Sequence, residues 1–271
     1  MRKSGVREKK LSRIIAVANQ KGGVGKSTTA INLSSCLAEQ GKKVLVIDMD
    51  PQGNTTSGLG IDKVQLDNTV YELFIGECGI EDCMVHLKYK KAEAIKKFYL
   101  IPSHVDLAGA EVELVDVENK EYLLRDKIAE YRDRFDYIII DCPPSLNLLT
   151  VNAMTTADSV LIPIQCEYYA LEGLAQLLYT IQLVQERLND TLSIEGVVFT
   201  MFDSRTNLSG QVMEDVKENL EAHIFKSVIP RNVRLAEAPS YGLPINIYEK
   251  KSEGSKAYKK LAKEIIKKGI L

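Results

Sequence analysis

Short, unbroken apolar runs recur along this 271-residue chain. A strand that is apolar at successive positions is covered on both faces, which is typical of a parallel sheet between layers of helices. Stretches with helical periodicity separate the runs. The pattern predicts an α/β fold, a doubly wound and mostly parallel sheet with helices on both faces and ligands at the carboxyl ends of the strands. The predicted strands span 14–18, 43–48, 137–141, 159–164, 196–201 and 227–229, and the predicted helices span 28–39, 120–132, 146–156, 171–188 and 211–220.

The pattern is weakest between residues 64 and 118, where we expect short helices near 70–74 and 105–117 and an apolar segment at 98–101. The C-terminal stretch 254–270 predicts a clearer helix, because its apolar residues follow the spacing of one helical face and lysines occupy the rest. A helix packed on the sheet is favoured over a membrane anchor, which would more typically carry Phe or Trp. The apolar residues are Tyr258, Leu261, Ala262, Ile265 and Ile266.

No internal repeat, low-complexity segment or linker interrupts the pattern, so we expect a single domain over residues 14–271. A basic tail over residues 1–13 precedes it. A solvated tail is favoured over an arm that contacts nucleic-acid phosphates or an anionic membrane surface. The tail's basic residues are Arg2, Lys3, Arg7, Lys9, Lys10 and Arg13, against the one acid Glu8.

Composition narrows the class of protein. An apolar content of 45% supports a full-sized core, and the net charge of −2 means that any nucleic-acid binding must come from a local patch. No apolar run reaches the roughly 18 residues that span a bilayer, and the N-terminus lacks a signal-peptide core, so a cytoplasmic protein is expected. The five cysteines show no zinc or thioredoxin spacing, and Cys78 with Cys83 is a weak metal signal. No G-x-S-x-G motif supports a serine hydrolase.

A glycine-rich loop, KGGVGKST, joins the first predicted strand to the first helix. Such a loop lets backbone N–H groups and a helix N-terminus surround a polyphosphate, with Lys26 reaching the β- and γ-phosphates and Ser27 binding Mg²⁺. The usual G-x-x-x-x-G-K-[ST] spacing is incomplete, because Gln20 stands at the first glycine position and Lys21 precedes the double glycine. A dinucleotide-binding G-x-G-x-x-G pattern also fails. The loop therefore predicts an ATP-type nucleotide site with an unusual lysine.

Two further strands end in carboxylates at the same predicted edge of the sheet. Asp141 follows the run YIII, the arrangement of an aspartate that holds Mg²⁺ directly or through water. Asp48 and Asp50 lie two residues apart at the tip of the second strand. On an extended chain both can lean toward the γ-phosphate, so that one assists Mg²⁺ and the other positions the attacking water.

Six motifs together resemble the ParA/Soj chromosome-partitioning ATPases, which belong to the deviant Walker-A group with MinD and the nitrogenase iron protein. The likeness runs from about residue 14 to the C-terminus, and the later motifs are specific to the Soj branch. The motifs are KGGVGKST, DMDPQGN, IIIDCPPS, PIQCEYYALEG, MFDSRTNL and VIPRNVRLAEAPS.

The resemblance implies roles for matching residues. Lys21 matches the signature lysine that reaches nucleotide in the partner subunit, which implies an ATP-sandwich homodimer, and Asp50 matches the carboxylate that positions water. Asp48 and Asp141 match supports of the Mg²⁺ site. Matching nucleotide-binding positions are Gly22, Gly23, Val24, Gly25, Lys26, Ser27 and Thr28 in the loop, with Pro230 and Asn232 at the adenine ring.

The resemblance also implies a function. The ATP-bound dimer binds double-stranded DNA without sequence preference, partitions a chromosome or plasmid, and lets go after hydrolysis stimulated by a ParB-type centromere-binding partner. The expected location is the nucleoid. Matching DNA-binding arginines are Arg205 and Arg234, with Arg231 and Lys251 as lesser candidates.

Two alternatives come from the same group. A MinD-like membrane-cycling ATPase that places the division site is less favoured, because a short, strongly hydrophobic C-terminal anchor is absent and MFDSRTNL is present. An electron-transfer protein like the nitrogenase iron protein would need cysteines that bridge a cluster between subunits. Cys142 and Cys166 do not match the positions of those ligands.

Overall fold

Seven strands of the described residues form one sheet, whose order is β3-β4-β2-β5-β1-β6-β7. The structure, a computed structural model, describes residues 12–167, 170–220 and 222–269, so all but the end of the predicted basic tail lies outside the described residues. The strands are β1 Arg13–Val17, β2 Val44–Asp48, β3 Val85–His86, β4 Phe98–Ile101, β5 Tyr137–Asp141, β6 Ser159–Gln165 and β7 Ser193–Thr200.

Helices connect these strands. They are α1 Lys26–Glu39, α2 Asn54–Gly58, α3 Val70–Ile75, α4 Ile80–Cys83, α5 Leu107–Glu113, α6 Leu123–Ile128, α7 Leu148–Thr156, α8 Ala170–Arg187, α9 Asn207–Asn219, α10 Val233–Glu237, α11 Ile245–Tyr248 and α12 Glu253–Lys268. Short 3-10 turns lie at Lys63–Gln65, Lys120–Tyr122, Arg132–Arg134 and Ala238–Tyr241.

The sheet is parallel except at its β3 edge, where β3 runs antiparallel to β4. The chain passes from β1 across β5 to β2, and later from β5 across β1 to β6. The loops after β1, β2 and β5 therefore meet in one crevice at the carboxyl edge, the usual ligand position in an open α/β sheet.

Both faces of the sheet are covered. Ile138 and Ile140 pack in one core cluster while Ile139, between them, packs in the other. The second cluster includes α1 and α12, and the predicted apolar face of α12 is buried except for the partly buried Ile266. The predicted doubly wound α/β fold is confirmed. No helix in the described ranges is long and apolar enough to cross a membrane.

Three predicted elements differ. The expected strand at 227–229 is wrong. Ile229 N donates to Phe199 O of β7, and Ile229 O accepts from Phe202 N, but these contacts give isolated bridges and not a strand. Glu264 of α12 accepts from the Lys226 backbone and the Ser227 hydroxyl, which draws this segment off the ladder. The helix predicted over 120–132 breaks into two 3-10 turns around α6, and the helix predicted over 105–117 shortens to α5.

Two helical glycines make a matched stability test. A Cβ on Gly254 of α12 would lie 2.6 Å from Cγ of Leu235 in α10, whereas a Cβ on Gly210 of α9 would have no heavy atom within 4 Å. Gly210→Ala should therefore stabilise the protein by about 0.5–1 kcal/mol through helix propensity. Gly254→Ala should destabilise it by about 1–2 kcal/mol, because overcrowding outweighs that gain. Urea unfolding of both variants measures the difference, and equal shifts would contradict the packing.

Candidate active site

The loop between β1 and α1 is held open by its backbone. Gly23 and Gly25 have φ of 75° and 89°, in the left-handed region that favours glycine. A Cβ at Gly22 or Gly23 would meet nothing within 4 Å, so a ligand can approach the backbone there. The Thr200 hydroxyl at the end of β7 donates to Val24 O at 2.8 Å and ties the loop to the sheet.

Lys26, the first residue of α1, is the charged group inside the loop. Its side chain is buried, with the residue 6% exposed, and its Nζ donates to Lys21 O at 3.1 Å. Burial lowers the pKa of Lys26, while the nearby Asp141 and Asp50 charges oppose that shift. A buried ammonium that donates to a backbone carbonyl is suited to holding phosphate oxygens.

A cavity of about 460 Å³ opens above this loop. It brings the loop together with Asp50 from the β2 edge and Pro144 from the β5 edge. Asp50 is buried, and its Oδ1 accepts from Gln52 N at 2.9 Å. The cavity lining also includes Gly22, Gly23, Gly25, Lys26, Ser27, Thr28, Ile31, Gln52, Asn54, Ser57, Gly58, Met201 and Pro239.

Asp48 and Asp141 are neighbours in the β2–β5 register, and both are fully buried. Burial raises the pKa of each, and the Asp48 charge raises that of Asp141 further. Asp141 Oδ2 accepts from the Thr55 hydroxyl at 2.7 Å, the carboxyl also contacts Ser27, and Oδ1 has no hydrogen-bond partner. An orphaned carboxylate oxygen beside a serine hydroxyl fits Mg²⁺, which prefers oxygen ligands and would offset this charge.

Asp48 has a different position from Asp141, although both are predicted at the metal. Its Oδ2 accepts from the Thr56 backbone and hydroxyl, both at 2.7 Å, and its Oδ1 accepts from Asp50 N at 3.2 Å. Asp48 therefore fixes the start of α2 and the backbone of Asp50. The sequence prediction missed Thr55 and Thr56, whose signal is a pair of hydroxyls directly after DPQGN.

A second cavity, of about 270 Å³, adjoins the first and shares Gly25, Thr28 and Met201 with it. It holds both residues predicted at the adenine ring, Pro230 and Asn232. Asn232 Oδ1 caps α10 by accepting from Leu235 N at 3.2 Å, which leaves its amide N–H groups to donate to a ligand. The remaining lining residues are Thr200, Ile229, Arg231, Leu235, Ala236 and Tyr258.

Lys21 does not line either cavity. Its Nζ lies 3.1 Å from Oε2 of Glu167, just after β6, and the two side chains are 34% and 50% exposed. An ion pair this exposed contributes only about 0–1 kcal/mol. The Lys21 ammonium is therefore readily released at the rim of the crevice.

Comparisons with known proteins agree with this geometry. The profile of the family described as "AAA domain" matches residues 12–194. The sporulation initiation inhibitor protein Soj of Bacillus subtilis is 52% identical over 259 residues, covering 96% of this chain and 100% of that protein. The chromosome partitioning protein ParA of Myxococcus xanthus is 50% identical over 260 residues, covering 95% of this chain and 89% of that protein. This chain belongs to the ParA/Soj family of P-loop ATPases.

Solved structures of the wider ParA/MinD-like group share the fold. Cobyrinic acid a,c-diamide synthase from Mycobacterium smegmatis, with bound ADP and magnesium, has a TM-score of 0.83 at 37% identity, and the match covers 95% of each chain. A putative plasmid partition protein from Borrelia burgdorferi, bound to AMPPNP, has a TM-score of 0.78 at 28% identity over 95% of this chain and 99% of that one. Pyrococcus furiosus cell division ATPase MinD has a TM-score of 0.78 at 30% identity, with the same coverage.

The cationic residues predicted to bind DNA in this ParA/Soj-family chain differ in position, and Arg231 is the one among them that lines the second cavity. Arg205 and Arg231 line a shallow surface cavity of about 560 Å³ together with Asp203. Arg205 pairs with Asp203 through two hydrogen bonds, at 2.6 and 2.9 Å, and this lowers the pKa of Asp203. Arg234, on α10, pairs with Glu237 at 2.7 Å. Lys251 is exposed but does not line that cavity.

The described residues hold no cluster of three or more His, Cys, Asp or Glu that could bind a metal. The five cysteines are free thiols, and burial raises the pKa of Cys142 and Cys166. Neither thiol is poised as a thiolate ligand for a cluster.

The buried carboxylates predict a pH dependence of the nucleotide-free protein. Since the native pKa of Asp141 is raised, the folded state binds its proton more tightly than the unfolded chain does. The contribution of Asp141 to the free energy of unfolding is fully present below about pH 4, the ordinary pKa of aspartate. This contribution is lost as pH rises through the raised pKa. Asp141→Asn removes this loss, so it should raise stability at pH 8 by about 1 kcal/mol or more and change little at pH 4.5.

Thermal unfolding without Mg²⁺ at the two pH values measures this effect. Asp48 also has a raised pKa, so a smaller slope should persist in Asp141→Asn. Identical slopes in the native protein and the variant would contradict the assignment.

Proposed function

We propose that this ParA/Soj-family ATPase binds Mg-ATP in the two adjoining cavities and hydrolyses it in a homodimer. Lys26 holds the β- and γ-phosphates, Pro230 and Asn232 hold the adenine, and Ser27 and Asp141 hold Mg²⁺, with Asp48 as their support. The metal supplies charge neutralisation at the phosphates. Relatives of the same fold contain ADP with magnesium or AMPPNP, which supports this choice of ligand. The loop residues Gly22, Gly23, Val24, Gly25 and Thr28 complete the phosphate site.

Hydrolysis then depends on two groups at the cavity rim. Asp50 orients the attacking water, and its backbone is fixed by Asp48. Lys21 leaves Glu167 and reaches the nucleotide of the second subunit, where its charge stabilises the loose phosphoryl-transfer transition state. The single observation that carries this proposal is the position of Lys21, beside the phosphate loop but turned away from its own cavity.

The biological output we propose is partitioning of a chromosome or plasmid. The ATP-bound dimer binds double-stranded DNA through Arg205, Arg231 and Arg234, with Lys251 as a peripheral contact, and hydrolysis stimulated by a ParB-type centromere-binding protein releases it. A dimer doubles a modest basic patch, so weak and salt-sensitive contacts suffice. The protein is cytoplasmic and nucleoid-associated, with residues 14–271 as a single domain.

A membrane cycle like that of MinD is the competing function. The apolar face of α12 is buried against the sheet and α1, so within the described residues it is not free to enter a bilayer. DNA retention and liposome flotation, each with ADP, ATP or no nucleotide and with oligomeric state measured in the same samples, separate the two. ATP-dependent DNA retention without flotation is expected, and ATP-dependent flotation would overturn the proposal.

Two substitutions separate dimer formation from hydrolysis. Lys21→Ala should lower hydrolysis by about a hundredfold or more and abolish ATP-dependent dimerisation, because the cross-subunit charge is lost. Asp50→Ala should lower hydrolysis by a similar factor but accumulate an ATP-bound dimer that still holds DNA. Light scattering after gel filtration gives the oligomeric state. A native hydrolysis rate in Asp50→Ala would show that its assigned role is wrong.

The DNA contact has a matched control. Arg234 and Arg134 are both about half exposed, and each pairs with a glutamate at 2.7 Å. Arg134 comes just before β5, so it lies at the amino ends of the parallel strands, away from the nucleotide crevice at their carboxyl ends. Arg234→Glu should weaken DNA retention and reduce the salt slope by about one phosphate contact per subunit, while nucleotide binding is unchanged. Arg134→Glu should leave both intact. Equal DNA affinity for the two variants would remove Arg234 from the interface.

A further inference from the structure

Helix α5 carries apolar side chains on both sides. Leu107, Ala110 and Leu114 point inward and are buried in the core. Val112 is exposed on the opposite side of the helix, and three further exposed valines lie in the turns just before and just after it. We call these four residues the α5 outer face. They are Val105, Val112, Val115 and Val117, which are 63%, 76%, 55% and 40% exposed. The inward residues anchor the helix, so packing within the chain does not require the outer valines.

Acids outnumber bases around the α5 outer face. Residues 98–119 contain five acids and no lysine or arginine, and the next residue, Lys120, donates from its Nζ to Val115 O. The acids are Asp106, Glu111, Glu113, Asp116 and Glu118. Exposed valines among negative charges match a partner segment with aliphatic and basic side chains, because the charges steer association and the apolar contacts hold it. The same charges disfavour nucleic acid at this face.

The α5 outer face is connected through α7 to the loop that follows Asp141. Glu111 lies beside the first turn of α7: its Oε1 is buried without a hydrogen-bond partner, and the backbone N–H of Leu149 counters the rise that burial causes in the pKa of its carboxyl. Asn152 of α7 accepts from Leu124 N at 3.1 Å and donates to Lys120 O at 2.8 Å, just after the α5 outer face. The loop that precedes α7 follows Asp141 and places Pro144 in the phosphate cavity. A partner bound at α5 therefore acts on the carboxyl end of β5 through a short chain of packed residues.

We propose that the α5 outer face is the docking surface for a basic, amphipathic segment of the partner protein that stimulates ATP hydrolysis. Binding acts through Glu111 and the N-terminus of α7 on the loop after Asp141. The inference rests on the proposed function, since it requires a stimulating ParB-type partner.

The test measures hydrolysis in the full chain, with DNA and increasing amounts of the ParB-type protein as the probe. Val112→Ser with Val115→Ser removes the exposed apolar contact without opening the core. It should raise the partner concentration needed for half-maximal stimulation by roughly tenfold, and basal hydrolysis and DNA retention should not change. Asp116→Lys with Glu118→Lys should act in the same direction. Val64→Ser, at a valine that is 90% exposed in a 3-10 turn elsewhere, is the matched control and should have no effect.

Glu111→Ala tests the route through α7. As a positioning residue, it should lower the maximal stimulation while the half-maximal partner concentration stays near the native value.

Three results would overturn the proposal. Unchanged stimulation of the valine variant would exclude the α5 outer face and leave the proposed function intact. A native protein that the partner does not stimulate would overturn both. A change in self-association of the valine variant without partner would make the occupant a second copy of this chain.

Discussion

The structure depends on negative charge concentrated at one buried point. The parallel register of β2 and β5 sets Asp48 beside Asp141, and both carboxyls lie out of contact with water. Burial and mutual repulsion oppose their ionisation, so this edge of the sheet needs compensating charge. Lys26 supplies part of it, and the orphaned Asp141 oxygen leaves room for a divalent cation. A nucleotide site with a metal is the arrangement that satisfies these groups together.

The charged residues around this buried point have different positions. Asp48 accepts hydrogen bonds from Thr56 and from the Asp50 backbone, so it positions the loop that carries Asp50, the carboxylate that we propose orients the attacking water. Lys21 is outside the cavity in a weak surface pair, available to a second subunit. The second cavity, which contains Pro230 and Asn232, continues into the surface that carries Arg205 and Arg231. Occupancy of the nucleotide site can therefore influence the proposed DNA surface through shared walls.

Residue pattern alone predicted much of the fold. Apolar runs such as 137–141 predicted strand ends to within three residues, since burial on both faces leaves a strong signal. Segment 227–229 has the same apolar character but is diverted by Glu264, which no local pattern reveals. The loop lysine and the strand-end aspartates were also predictable. The pairing of Lys21 with Glu167, the anchoring of Asp48 by Thr56, and the contact of Glu111 with α7 depend on residues distant in sequence, so only the tertiary structure reveals them.

The most direct test of the central claim is complementation between two inactive variants. In a dimer of one Lys21→Ala subunit and one Asp50→Ala subunit, one site keeps its own Asp50 and receives Lys21 from its neighbour, whereas the other site lacks both. If Lys21 acts across the interface, mixing the two variants before adding Mg-ATP and DNA should restore partial hydrolysis. Light scattering after gel filtration shows whether the mixed dimer, which keeps one of the two cross-subunit lysines, has formed. A mixed dimer that forms but is as inactive as either variant alone would show that Lys21 serves its own subunit.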